Sequence, residues 1–205
     1  MVTLPGVEHF NRLFKIQLAN SHTLRQAAYK IRHCVYCTEL GWEPQNSAQI
    51  ESDEYDDYAL HCLFTDRATG QHAGCVRLII PPADNLNQAL PFELNYKHSI
   101  YPQSVQADSL TRGSFGEISR LAVLPSYKKS QQEQHGFSNV GMGLYLGVIA
   151  LADLCQLAGL FMLIEPRLER CLRRYGLRFK QIGEKINHNG IRAMFYLPRE
   201  KFSSA

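Results

Sequence analysis

The segment Ser138–Ala158 (SNVGMGLYLGVIALADLCQLA) carries a single acidic residue and no lysine or arginine, and Gly159 closes it. A helix that is apolar on nearly every side has to be enclosed by the rest of its domain. A glycine just past the end suits the left-handed turn that stops helices. The segment is therefore expected to be the central helix of the fold. Glu117–Leu124 (EISRLAVL) precedes it as a strand, separated by the polar stretch Tyr127–Gly136, and Leu160–Glu165 follows it as a short buried strand.

Upstream, Leu24, Ala27, Ala28, Ile31 and Val35 recur at helical spacing, which predicts a helix over Thr23–Tyr36 with Thr23 and Gln26 as a capping box. Gly41, Pro44 and Asn46 end it and open a polar loop through Asp57. Ala59–Thr65 and Ala73–Ile80 read as a hairpin across the Asp66–Gly70 turn. Pro81 and Pro82 stop the second strand. Ala83–Phe115 is long and irregular, with one helix expected near Pro91–Lys97, and a connection of that length in a small domain is often functional. Downstream, Arg167–Tyr175 reads as a short basic helix ending at Gly176. Leu177–Ile186 and Ile191–Leu197 follow as strands joined by the turn Asn187–Gly190. Phe10–Ala19 reads as a short amphipathic helix packed on the domain. The 205 residues suit one domain.

Composition excludes several classes. No stretch approaches the ~18 consecutive apolar residues of a membrane span, and no apolar run follows a basic start as in a secretory signal. The expected location is the cytoplasm, with the six cysteines as reduced thiols. Cys34 and Cys37 form a lone C-x-x-C without the second pair that a zinc site needs, so no metal is expected. Net charge is only +3, yet it is uneven. Glu39–Asp66 holds eight acidic residues and no Lys or Arg, whereas Arg167–Lys185 holds seven basic and two acidic ones. Such polarity marks either a solvated face or a basic end that docks an acidic partner. A nucleic-acid partner is not expected.

Three constellations could carry chemistry. Gly141 and Gly143, at the start of the central helix, either permit tight packing or let a ligand approach the helix N-terminus. Glu117, with Arg120, is either half of an ion pair or a general base toward an amine. Residues three apart on a regular strand face opposite sides, so a shared role for Glu117 and Arg120 requires a bulge. The acidic loop Glu51–Asp57 lacks calcium-loop spacing. It is expected either to hold arginines, with Arg32 and Arg77 as candidates, or to bind an acceptor amine.

The ordered set Arg32-His33-Cys34-Val35-Tyr36, Leu40-Gly41-Trp42, Asp53-Glu54-Tyr55-Asp56, Arg77-Leu78-Ile79 and Glu117-Ile118-Ser119-Arg120 resembles the acyl-homoserine-lactone synthases. Further matches resemble their relatives, the long-chain N-acyl amino acid synthases and the exosortase-associated acyltransferases. These are His61-Cys62-Leu63-Phe64, Thr69-Gly70, Gly74–Ile79, Gly116–Val123, Gly143-Leu144-Tyr145 and Ile164–Leu168. Gly176, Gly183, Gly190-Ile191-Arg192 and Tyr196 complete the pattern, which spans about residues 24–198.

The resemblance implies a single GNAT-like domain over residues 1–205, of α/β (α+β) class, with a mixed, mostly antiparallel central sheet flanked by helices. It implies a fatty acyl transfer from acyl-acyl carrier protein to a small-molecule amine, with no cofactor beyond the carrier's phosphopantetheine arm. Glu117 would be the catalytic carboxylate, assisted by Arg120. Arg32, Trp42, Asp53, Asp56 and Arg77 would bind the acceptor or order the acidic loop. Leu121, Val123, Gly141, Gly143 and Leu144 would hold the acyl chain and pantetheine, with Phe161 and the Leu144–Leu154 helix face lining a tunnel. Ser138 stands where acetyl-CoA-using relatives commonly have Arg or Gln, which suits a donor without a pyrophosphate. Carrier proteins are generally acidic, so Arg167, Arg170, Arg173 and Arg174 would dock one. The preferred acceptor is an amino acid, aromatic ones included, with Trp42 and Tyr55 as an apolar wall. The alternatives are S-adenosylmethionine as acceptor and a non-catalytic module that senses acyl carriers.

Overall fold

A computed structural model describes residues 12–129 and 139–201. Its seven strands form one sheet in the order β1-β2-β3-β4-β5-β7-β6. They are β1 Phe14–Leu18, β2 Ala59–Asp66, β3 His72–Ile79, β4 Phe115–Val123, β5 Gly159–Ile164, β6 Lys180–Asn187 and β7 Ile191–Pro198. Neighbouring strands are antiparallel except β4 and β5. A parallel pair needs a crossover, and the connection from β4 to β5 contains the helices α3 (Pro125–Lys129) and α4 (Asn139–Leu154). The other helices are α1 His22–Arg32, α2 Pro91–Asn95 and α5 Pro166–Arg174.

The apolar segment identified as central becomes α4, which lies across β1 to β4. Its Leu144, Val148 and Ala152 are fully buried, in one cluster with Val76 and Leu78 of β3, Ile118 of β4 and Leu160 and Met162 of β5. Each large aliphatic side chain buried this way contributes ~1.5–3 kcal/mol. Gly147 allows the close approach to the edge strand, because a Cβ there would meet Ile16 Cγ2 at 2.7 Å.

The opposite face has two separate covers. α1 runs directly into a π-helical turn, His33–Glu39, and together they set Ala28, Ile31 and Val35 on Leu63, Cys75 and Ala122. Further along the sheet, the segment between β3 and β4 lays Leu90, Phe92 and Ile100 over Ile79, Phe115, Phe161 and Tyr196. Phe92 stacks on Phe161 with ring centres 4.3 Å apart. The long irregular connection thus covers this part of the sheet.

Two local expectations are corrected. Phe14–Leu18 is an edge strand paired with β2, not part of an amphipathic helix: Phe14 is buried and Lys15 exposed, and Phe14 packs on Phe64. Backbone pairing along the free edge of β2 outweighs a weak local helical pattern. The cap of α1 is Ser21, whose Oγ accepts from the Leu24 N–H at 3.3 Å, so the helix begins one residue before Thr23. No helix among the described residues is long and apolar enough to cross a membrane.

Candidate active site

Two departures from regular pairing on β4 create the site. First, the β4–β5 ladder runs only from Phe115↔Gly159 to Ile118↔Met162, after which the strands diverge. The β5-facing edge of Ser119–Val123 is left without a strand partner. A cleft of about 520 Å³ opens there, lined by Ile118, Leu121 and Val123 of β4, Met162 and Ile164 of β5, and Tyr145 of α4. Second, Cys75 of β3 faces Ala122 while Arg77 faces Ser119, so β4 holds one more residue than β3 across the same interval. Arg120 takes φ 51° at this bulge. A non-glycine residue in that region costs of order 1–3 kcal/mol and persists only where its surroundings hold it. The bulge required for Glu117 and Arg120 to share a site is present, and both line a second pocket of about 280 Å³. The two pockets share Tyr36, Trp42, Ser119, Arg120 and Arg192 among their walls, so they are adjacent and are called below the apolar arm and the polar arm.

Glu117 sits in the polar arm with only 4% of its surface exposed. Its Oε2 accepts from the Phe92 N–H at 2.9 Å. Burial pushes its pKa up to about 7, against the pull of the Phe92 N–H and the more distant Arg77 and Arg120. A carboxyl group tuned to that value suits proton transfer at neutral pH. No acid–arginine ion pair within 4 Å joins Glu117 among the described residues, which separates it from the other acids of this region.

Those other acids hold arginines. Arg32 donates to Glu51 and, at 2.7 Å, to Asp56; Arg77 pairs with Asp53, with Asp56 at 2.8 Å, and through Nε with Ser119 Oγ at 3.0 Å. Arg120 reaches Glu51 at 3.2 Å and both Glu43 and Asp53 at 3.4 Å. Burial disfavours the ionised Asp56, but the Arg32 hydrogen bond and the two arginine charges outweigh it and hold its pKa near about 2. Asp53 caps the short turn Glu54–Asp57, and Asp56 Oδ2 accepts back from the Asp53 N–H at 2.8 Å. The acidic loop is thus strapped to α1, β3 and β4, and of its two candidate roles the geometry shows the holding of arginines. Arg32 and Asp56 are buried and line neither arm. Asp53, Arg77, Trp42 and Tyr55 do line the polar arm.

The acyl-side expectations divide. Leu121 and Val123 line the apolar arm. Gly141, Gly143 and Leu144 do not: they are buried in α4, and Leu144 packs against Gly74 of β3. Tyr145 of α4 lines the cleft. Phe161 does not line the cleft; it packs on Phe92, Phe115 and Tyr196. Ser138 and most of the Tyr127–Gly136 stretch lie outside the described residues. On α5, Arg167, Arg170, Arg173 and Arg174 are exposed, and Arg167 lines the cleft mouth. Arg173 is committed to buried Glu169 at 2.8 Å. No group of His, Cys, Asp and Glu suited to a metal occurs among the described residues.

Residues that sequence reasoning did not assign to the site include Ser119, Tyr96, His188 and Arg192, all in the polar arm. Tyr96 and His188 meet through the tyrosine hydroxyl at 3.0 Å. They come from a connection and a hairpin turn that are remote from β4 in sequence, and the turn signal at Asn187–Gly190 says nothing about what the turn faces.

Residues 31–135 match the family model described as Acetyltransferase (GNAT) domain. The chain is 25% identical over 158 residues to an acyl-homoserine-lactone synthase of Aeromonas salmonicida, covering 77% of this chain and 70% of that one. Its fold is similar to that of MesI, described as a CoA-dependent acyl-homoserine lactone synthase, at TM-score 0.69 and 18% identity over 93% of this chain and 94% of that one. It is also similar to FeeM, an N-acyl amino acid synthase from uncultured soil microbes, at TM-score 0.65 and 17% identity over 93% of each.

Proposed function

Because the chain belongs to the acetyltransferase (GNAT) domain family, we propose that it is an N-acyltransferase that moves a long-chain fatty acyl group from acyl-acyl carrier protein to the amino group of an amino acid. The observation that carries this reading is that the apolar cleft and the polar arm that holds Glu117 lie side by side along β4 and share walls. The thioester lies along the unpaired edge of β4, where a strand-like extended arm can take up the backbone groups left by β5. Its acyl chain occupies the cleft beside Leu121, Val123 and Met162. The acceptor enters past Trp42, Tyr55 and Tyr96, which offer aromatic walls to a side chain of that kind.

The amine nitrogen attacks the thioester carbonyl, a C–N bond forms, and Glu117 takes the nitrogen's proton directly or through one water. Backbone N–H groups on the free edge of β4 stabilise the oxyanion. Collapse of the tetrahedral intermediate breaks the C–S bond and releases the carrier thiol. The exposed arginines of α5 at the cleft mouth support an acidic carrier protein as donor. A second reading, S-adenosylmethionine as acceptor, is favoured by the similarity to acyl-homoserine-lactone synthases.

The experiment is a competition. The purified protein receives one long-chain acyl group on carrier protein or on coenzyme A, a pool of amino acids, and S-adenosylmethionine, and products are read by mass spectrometry. N-acyl amino acids formed from the carrier-bound donor are expected. Homoserine lactone as the sole acylated product replaces the acceptor, equal use of coenzyme A removes the carrier assignment, and no acylated amine under any pairing overturns the reading.

A further inference from the structure

The polar arm needs a cation if its acceptor bears a carboxylate, and most of the basic side chains nearby are already engaged. Arg32 is buried and lines neither arm, Arg77 is tied to Asp53, Asp56 and Ser119, and Arg120 to Glu43, Glu51 and Asp53. Lys128, in the apolar arm, is paired with Glu39 at 2.7 Å. Arg192 of β7 differs from all of these. It lines both arms, and among the described residues it has no ion pair within 4 Å. Its Nε is buried without a hydrogen-bond partner there.

The position is built. The Arg192 guanidinium lies over the Trp42 ring at 5.1 Å from its centre, and Trp42 stacks in turn on Tyr36. A guanidinium set against an aromatic ring is held there by its charge, and its N–H groups can still match a carboxylate in two parallel hydrogen bonds. Arg192 also lies on the Glu117 side of the sheet. Ala193 belongs to the α4 core and Met194 to the Phe92 core, so alternation puts Arg192 on the face of Met194, as it puts Glu117 on the face of Phe115. Glu117 and Arg192 therefore line the same pocket from strands on either side of β5.

We propose that Arg192, held by Trp42, is the residue that reads the carboxylate of the acceptor and restricts the polar arm to amines carrying one, the α-amino acid class. The inference rests on the acyl-transfer reading for the word acceptor, but not on the choice between a free amino acid and S-adenosylmethionine, since both bear an α-carboxylate. With the carboxylate on Arg192, the α-nitrogen sits one carbon away in the pocket that contains Glu117.

Trp42 is the only tryptophan of the chain, so its emission reports binding without any donor or turnover. The test titrates the wild-type protein, Arg192→Gln and Arg192→Lys with L-leucine, L-phenylalanine and S-adenosylmethionine, and with leucinamide and phenylalaninamide as probes that lack the carboxylate. Saturable responses to at least one acid, with the matching amide about ten- to a hundredfold weaker, are expected for the wild type. Arg192→Gln should weaken the acid by a similar factor and bring acid and amide level, while Arg192→Lys restores part of the preference. Circular dichroism and unaltered binding of the amides by Arg192→Gln show that the fold is intact. Equal binding of acid and amide by the wild type, an acid preference that survives in Arg192→Gln, or no response to any carboxylate overturns the proposal. Failure of acyl transfer in the competition assay, with carboxylate binding present, instead overturns the reaction and leaves the anion subsite.

Discussion

Replacing Glu117 with glutamine removes a charge and keeps the shape, and the site's geometry makes two outcomes calculable. The glutamine carbonyl can still accept from the Phe92 N–H, but the amide cannot take a proton, so acyl transfer should fall by about 10²–10⁴-fold. The same substitution changes stability in a defined pH window. The folded pKa of Glu117 is raised from 4.5 to about 7 by burial, so the folded state holds this proton more tightly than the unfolded chain. Its stabilising contribution is fully present below the unfolded value and is lost as pH rises through about 7. At about 1.4 kcal/mol per unit the loss is ~3 kcal/mol. Buried His61 has the opposite sign: burial lowers its pKa from 6.5 to about 4, so its contribution is present above the unfolded value and lost as pH falls through the folded one. The two slopes overlap in the wild type, and only the difference between wild type and Glu117→Gln isolates the carboxyl group. Urea unfolding of both proteins should give near-equal stability at about pH 4.5, with the glutamine variant becoming more stable by up to ~3 kcal/mol toward pH 8. A difference that stays flat across this range, or near-wild-type turnover at neutral pH, would refute the buried-base argument.

Asp56→Ala leaves Arg32 and Arg77 without a shared carboxylate in a buried network, which should cost ~3–5 kcal/mol in denaturant unfolding; an effect below 1 kcal/mol would mean that the loop is held by other contacts. Arg170→Glu with Arg174→Glu should slow reaction with acyl-carrier protein, spare small thioester mimics, and be mimicked by raised salt; equal loss with both donors counts against α5 as the docking surface. Arg173 is best left alone in that experiment, because its removal strands buried Glu169. Leu121→Trp should fill part of the apolar arm and shift the products toward shorter acyl chains; an unchanged chain-length profile by mass spectrometry places the chain elsewhere.

Local pattern was enough to identify much of this protein. The apolar run that became α4, the hairpin at Asp66–Gly70, the β6–β7 turn and the basic α5 follow from period, charge and turn chemistry, which act over a few residues. Glu117 stood out as a carboxylate on an apolar strand, with its role open between an ion pair and a general base, and the resemblance singled it out as the catalytic one. Even the bulge could be required in advance, since Glu117 and Arg120 cannot share a face without one. Local sequence was misleading where long-range pairing outweighed it, as at Phe14–Leu18, whose edge pairing to β2 is set by residues far along the chain. It was silent on which arginine of the polar arm lacks an ion pair among the described residues. Arg32, Arg77, Arg120 and Arg192 are the same side chain in a sequence, and only the folded positions of Glu51, Asp53 and Asp56 consume the first three and leave Arg192 against Trp42. Charge pairing, burial and the opening between β4 and β5 depend on distances between strands, and those distances exist only once the sheet has formed.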